Sequence, residues 1–262
     1  MTLGGYVPVA SRIHELDPRL KLIAVPTVLL MVFLADTFAQ LAVTTSFIII
    51  IAAACRCGSR IWWSGIRRFV WMFLVVFFMH VLLTREGRLM MMLGRELPIT
   101  WDGLQAATVF CLKLAEAVTV SLILTATTRP TDLAKAVARV TSPFRCLGVN
   151  PEETGIVLMM ALRFIPVYHL ELQAIVEAQK SRGIDFSSRN IIDRAANFIA
   201  VLAPALTAAM RRADAMAVTM SIRGFQPGSP RTSFRPMILS TDDYVAVAVI
   251  TAFVLGTIAV SG

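Results

Sequence analysis

The sequence predicts an all-α, polytopic membrane protein with about five transmembrane helices. Three observations carry that prediction. Of 262 residues, 56% are hydrophobic and only 16% charged; the mean hydropathy is +0.70; and basic clusters separate apolar windows that approach the roughly 20 residues needed to span hydrocarbon. In a soluble chain a net charge of +8 would point to nucleic acid. Here the positive-inside bias accounts for it, and no nucleic-acid partner is expected.

The first apolar run lies beyond Arg12, Arg19 and Lys21, with no small-residue cleavage site behind it. A removable signal peptide is therefore not expected, and the N-terminus reads as cytosolic. Asp17-Pro18 starts a helix, with Asp as the cap and Pro at the first position. Residues 22–34 and 38–55 form a first pair of spans joined by Ala35-Asp36-Thr37 alone, a tight helical hairpin whose first arm Pro26 should kink. Residues 56–68 set Arg56, Arg60, Arg67 and Arg68 around Trp62 and Trp63, the mixture of a cytosolic interfacial loop with an aromatic belt. Residues 70–83 make a third span, 84–101 an outer loop whose charges nearly cancel, and 104–127 a fourth span anchored by Trp101.

After Thr127-Thr128-Arg129-Pro130 charge reappears regularly over residues 132–145, so a cytosolic region begins there, with Thr131 read as a helix cap. Residues 152–182 are helical, apolar over 156–168 and polar beyond, and the apolar half is short for a full crossing. Residues 191–223 repeat the theme with an apolar centre at 198–210. Such helices reach about 45 to 50 Å. Pro166 and Pro204 predict a kink in each, and dipping into the bilayer is their alternative placement. A proline-, serine- and arginine-rich loop follows to Pro236, and residues 244–260 form the last span. Five spans from a cytosolic start leave the C-terminus outside.

Both long helical patterns end alike, in Ser181-Arg182-Gly183 and Ile222-Arg223-Gly224. Arginine at a last turn complements the negative end of the helix dipole, and glycine behind it takes the left-handed conformation that ends the helix. Taken singly, each is a capped end. Together they present two cationic tips.

The string His14-Glu15-Leu16-Asp17-Pro18-Arg19-Leu20-Lys21-Leu22 resembles the His-x-x-Asp-Pro-Arg-x-Lys-Leu entry motif of the transmembrane T component of energy-coupling factor transporters. Further resemblances follow in order. Thr127 to Leu133 is similar to the family's Thr-x-Pro-x-Asp-Leu segment, residues 143–149 to its Pro-x-x-x-x-Gly-Val loop, and Leu162-Arg163-Phe164-Ile165-Pro166 to its Phe-Ile-Pro helix. Ser181-Arg182-Gly183 and Ile222-Arg223-Gly224 are similar to its paired Arg-Gly signatures, with Ser181 where the family often has alanine. The resemblance covers residues 13–225.

It implies a multi-pass scaffold in the cytoplasmic (inner) membrane of a prokaryote. N-terminal transmembrane helices would occupy residues 1–128, a cytosolic coupling-helix region 129–238, and a C-terminal transmembrane helix 239–262. Two long coupling helices would cross as an X and dock onto two P-loop ATPase subunits through Ser181, Arg182, Gly183, Ile222, Arg223 and Gly224. A small hydrophobic membrane subunit would capture the substrate, a vitamin or a transition metal. The chain itself would bind no cofactor, ATP and magnesium belonging to the ATPases, and it would not be an enzyme.

The residues agree on the last point, since no G-x-x-x-x-G-K-[ST], Gly-x-Ser-x-Gly or His-Glu-x-x-His occurs. The competing reading is a self-contained secondary transporter in which Lys113, Glu116 and His80 handle protons or cations. Lys113 and Glu116 share a helix face and are expected to neutralise each other, and His80 lacks a second ligand nearby. His14, Asp17, Arg19 and Lys21 read as a helix start and interfacial charges. Cys55, Cys57, Cys111 and Cys146 lack zinc spacing and read as reduced packing residues. The many alanines over 195–217, with Met159, Met160, Met210, Met216 and Met220, suit either close helix packing or a sliding surface for the capture subunit.

Overall fold

A computed structural model describes residues 7, 9, 11–83, 89–92, 95–142, 150–186, 190–229 and 239–260. The chain divides into two compact units, Met1–Ala136 with Arg235–Gly262, and Val137–Phe234.

The first unit opens with a short turn of helix, α1 (Arg12–Glu15), and α2 (Pro18–Leu34). Asp17 caps α2 by accepting a hydrogen bond from Arg19 N at 2.8 Å, with Pro18 at the first position, as the Asp-Pro pair predicts. The hairpin to α3 (Phe38–Ala54) also forms as expected. Gln40 Oε1 accepts from the backbone N–H of Asp36 and Thr37 at 2.9 and 3.1 Å, satisfying donors that a helix start leaves open. Its Nε2 donates to Thr257 O at 3.3 Å and ties the hairpin to α10 (Thr241–Ala259).

Residues 56–68 hold more order than the expected loop: Ser59–Arg68 is a helix, α4, followed across a 48° bend by α5 (Val70–Leu83). On α5, Trp71, Leu74, Val75, Phe78 and Leu82 stay exposed at helical spacing, an apolar stripe suited to lipid. The outer loop is not structureless either. It contains a two-stranded antiparallel sheet, β1 (Leu89–Met92) with β2 (Arg95–Thr100), pairing Leu89 with Thr100 and Met92 with Arg95. Balanced charge and two glycines hid that hairpin in the sequence.

Thr100 caps α6 (Trp101–Thr127), its hydroxyl accepting from Gly103 N at 3.3 Å. Val28 and Val32 of α2, Ile48 of α3, Val120 of α6 and Phe253 of α10 form one core cluster, within which the Phe47 and Phe253 rings stack at 4.0 Å. A second cluster joins Cys55, Cys57, Ile123 and Ala126, with Ile13 and Trp62 packed against it. The next helix, α7 (Pro130–Val140), begins at Pro130 itself. Thr131 therefore lies inside it and is not the cap, because proline's fixed φ and missing N–H suit the first helical position.

The second unit contains α8 (Pro151–Ser181) and α9 (Ile191–Ile222), which pack against each other. Both run unbroken through Pro166 and Pro204.

Among the described residues, α6, α8 and α10 are long and apolar enough to cross a membrane, and α4 with α5 makes a fourth if the bent pair is one span. At 17 residues each, α2 and α3 reach about 26 Å, just under the roughly 30 Å of hydrocarbon. The chain is thus an all-α polytopic membrane protein, the small sheet aside, with three to four apolar spans. One expectation changes here. The apolar half of α8 is short for a crossing on sequence grounds, yet as a continuous 31-residue helix α8 has the length and composition to cross.

Candidate functional site

The two Arg-Gly ends fold identically. At the end of α8, Arg182 is the C-cap, Gly183 takes φ 88°, Gly183 N donates to Lys180 O at 2.9 Å, and Ile184 N donates to Gln179 O at 3.2 Å. At the end of α9, Gly224 takes φ 74°, Gly224 N donates to Ser221 O and Phe225 N to Met220 O, both at 3.0 Å. Each is a complete Schellman motif, with the 5→2 and 6→1 bonds that satisfy a helix's last carbonyls. A side chain at either glycine would be strained by the left-handed backbone.

Around those caps the neighbours are fully committed. Ser181 and Ser221 donate their hydroxyls back to Glu177 O and Ala217 O at 3.1 and 2.9 Å. Arg182, Ile222 and Arg223 are exposed and make no side-chain hydrogen bond or ion pair among the described residues. What projects at each tip is a guanidinium with its donors unused.

No sequence pattern announces a pairing between the two helices, yet one joins them. Arg212 Nη2 of α9 donates to Glu171 Oε2 of α8 at 2.9 Å, and the same guanidinium lies 5.6 Å from the centre of the Tyr168 ring. Both partners are about a third exposed, so the ion pair is worth about 1 kcal/mol or less. Its value is positional. Glu171 and Arg182 are separated by the same eleven positions as Arg212 and Arg223, so each tip stands about 16 Å of helix beyond the clasp. A second tie, Gly228 N donating to Glu153 Oε1 at 2.9 Å, returns the chain from the second tip to the start of α8.

The other singled-out residues have separate partners. His14 accepts from Ser11 Oγ at 2.7 Å and contacts Val7 O through Nε2 at 3.1 Å. Lys21 Nζ donates to His14 O and to Thr127 O at the end of α6, at 3.2 and 3.3 Å. This cluster pins α1, α2 and α6 together. Lys113 and Glu116 lie within electrostatic reach of each other but make no direct ion pair. Lys113 reaches the free carbonyl of Phe33 at the end of α2 (3.2 Å) and Asp36 (3.7 Å), whereas the shorter Glu116 meets the Thr45 hydroxyl of α3. His80 stacks on Phe110 at 4.7 Å and donates to its own helix at Val76 O.

Cys55 and Cys57 are buried free thiols, and burial pushes Cys57 above the usual thiol range, so it stays protonated. Cys146 and the 143–149 loop lie outside the described residues. Among the described residues no group of three His, Cys, Asp or Glu side chains is placed to hold a metal ion.

Comparison with known proteins identifies the family. Residues 10–234 match the family described as CbiQ, cobalt transport protein. The chain belongs to the CbiQ family. It is 35% identical over 256 residues to the energy-coupling factor transporter transmembrane protein EcfT of Heliobacterium modesticaldum, covering 97% of this chain and 96% of that one. It is 31% identical over 258 residues to EcfT of Thermosediminibacter oceani, covering 98% and 97%. To EcfT of Bacillus subtilis it is 30% identical over 243 residues, covering 93% and 91%.

Within the CbiQ match the motif residues have separate structural tasks. The His14 to Lys21 string binds three helix ends together, Pro166 sits inside α8 beside the Phe164–Tyr168 ring pair (6.0 Å), and the Arg-Gly pairs close α8 and α9.

Proposed function

We propose that this chain is the energy-coupling transmembrane subunit of an energy-coupling factor importer, a multi-pass scaffold of the prokaryotic cytoplasmic membrane that hydrolyses no ATP itself. Its membrane part comprises five spans, α2, α3, α5, α6 and α10, across residues 1–128 and 239–262. α8 and α9, in residues 129–238, are coupling helices that cross as an X at the Glu171–Arg212 clasp, and the apolar first half of α8 dips into the bilayer from the cytosolic side. Arg182 and Arg223, set by Ser181-Arg182-Gly183 and Ile222-Arg223-Gly224, each dock in one of two P-loop ATPase subunits.

The observation that carries the reading is the pair of matching Schellman ends, each projecting an unengaged guanidinium at the same distance from one interhelical clasp. Two equal arms on one pivot fit two equivalent partners. Nucleotide-driven closure of the ATPases would move both tips, and stiff helices would carry that movement toward the bilayer. The exposed apolar face of α9, including Phe198, Leu202, Leu206 and Met210 among its alanines, is suited to a small hydrophobic capture subunit. Specificity for a vitamin or transition metal then belongs to that subunit.

Affinity purification of the tagged chain from native membranes tests this. Two ATPase copies and a small hydrophobic subunit are expected to come with it. Ion-driven uptake by the chain alone in liposomes, indifferent to ATP, would overturn the reading in favour of a secondary transporter.

The clasp supplies a second expected result. Glu171→Ala and Arg212→Ala should each lower ATP-driven uptake about tenfold with little loss of folded protein, because the pair contributes position more than stability. The swapped double variant, Glu171→Arg with Arg212→Glu, should recover much of the uptake. Uptake assays on the three reconstituted variants check it, and a swap no better than the single changes would remove the clasp from the mechanism.

A further inference from the structure

The first unit holds a groove of about 380 Å³ between α2, α3, α6 and α10 that the coupling function does not use. That volume falls in the range of small-ligand sites, about 300 to 1,000 Å³. Its floor is aliphatic and aromatic, with Val25, Val28, Phe47, Ile48, Ile123 and Leu124 among the lining. One side is open: Val245 and Val249 of α10, on the rim, are 61% and 49% exposed. In a polytopic membrane protein such an opening between apolar helices faces hydrocarbon, where a polar solute has no access.

Only one end of the groove is polar, and its groups are of three kinds. Arg12 is exposed and makes no hydrogen bond or ion pair among the described residues, beside a Lys21 ammonium already donating to two carbonyls. Asp242, in the first turn of α10, is an exposed carboxylate on the same lining. Thr127 is only 2% exposed, yet its hydroxyl has no hydrogen-bond partner. An orphan hydroxyl at that depth is costly unless a ligand acceptor completes it.

We infer that this groove binds one aminophospholipid of the bilayer. An acyl chain fills the apolar floor through the open side. The headgroup phosphate takes the Arg12 guanidinium, a charge-assisted contact. A glycerol ester oxygen accepts the Thr127 hydroxyl, and the headgroup ammonium meets Asp242. Cation, anion and donor at one end of an apolar slot match a zwitterion better than an anionic lipid, whose charge Asp242 would repel.

Native mass spectrometry of the purified transporter complex, titrated with phosphatidylethanolamine, phosphatidylglycerol or phosphatidylcholine of identical chains, tests the assignment. One phosphatidylethanolamine should be retained at least tenfold more tightly than either competitor, since phosphatidylglycerol lacks the cation and phosphatidylcholine the N–H donors. Asp242→Asn should erase that preference, Arg12→Gln should weaken all three lipids, and Ala246→Phe should block the groove for all. Each variant's melting curve in detergent reports its fold separately. Equal retention of the three lipids would overturn the inference, as would variants that bind like the parent, which would leave ordinary surface lipid or another segment of this chain as the occupant.

Discussion

Arg182→Ala and Arg223→Ala are each expected to cut ATP-driven uptake by more than tenfold while leaving the yield and melting temperature of the chain nearly unchanged. The two effects separate because the arginines have two roles of different size. As complements to a helix dipole they contribute about 0.3 to 1 kcal/mol each, and the Schellman bonds that close α8 and α9 are made by backbone and survive the change. As anchors in a partner's pocket, buried arginines commonly cost about 2 kcal/mol or more when truncated, which is roughly 30-fold in an equilibrium constant. Proteoliposomes carrying the assembled transporter provide the uptake measurement, and co-purification of the ATPases provides the docking measurement. Normal uptake by both variants, with assembly intact, would sink the docking assignment.

The conservative change sharpens this. Arg182→Lys keeps the charge but loses the planar fork of five donors, so a docking site built on paired hydrogen bonds should recover only partly. A tip acting through charge alone would work as well with lysine. The glycines set a second condition, because Gly183 and Gly224 hold φ of 88° and 74°, where a Cβ is strained and the direction of the tip would change with the cap.

What was legible in the sequence was whatever is decided locally. The Asp17-Pro18 start, the three-residue hairpin after α2 and both Arg-Gly ends follow from capping chemistry within a few residues, and the structure builds them so. The β1–β2 hairpin was missed because its strands are short and lie among balanced charges. The direct partners of Lys113 and Glu116 were hidden for a different reason. Helical spacing put the two residues on one face, but side-chain reach decided their partners: lysine extended to the carbonyls left open where α2 ends, and glutamate stopped at Thr45. The Glu171–Arg212 clasp joins residues 41 positions apart, and no pattern in either helix announces it. For the candidate site, then, the two tips were readable as local motifs, whereas the pivot that gives them equal arms required the fold.

Asp243→Ala is expected to be the most destabilising single change in the first unit, lowering the apparent melting temperature by about 5 to 15 °C. Asp243 is 2% exposed. Its Oδ1 accepts from Asp17 N at 2.8 Å, across 226 positions of sequence, and its Oδ2 accepts from Ser240 N at 2.7 Å and Ser240 Oγ at 3.0 Å. One carboxylate thus joins the start of α2 to the start of α10, and it lies within electrostatic reach of the buried Lys21 ammonium. Alanine leaves those donors without an acceptor, at about 1 to 3 kcal/mol for each one that stays buried, and removes a helix cap worth about 1 kcal/mol. Of these donors only Asp17 N lies at a fully buried bond, so the sum is about 2 to 4 kcal/mol, or about 4 to 16 °C at roughly 2 to 4 °C per kcal/mol for a chain of this size. Asp243→Asn keeps Oδ1 as an acceptor for Asp17 N but sets an amide N–H₂ against the Ser240 donors, so it should fall between alanine and the parent. Thermal unfolding in one detergent at one scan rate compares the three, since unfolding of such proteins is read as a rate-dependent midpoint. An alanine variant that melts with the parent would show that the Phe253 contacts and the Gln40–Thr257 bond hold α10 without this carboxylate. One that melts early yet couples ATP to uptake normally once assembled would show that this stitch secures the membrane scaffold without lying on the path of energy transfer.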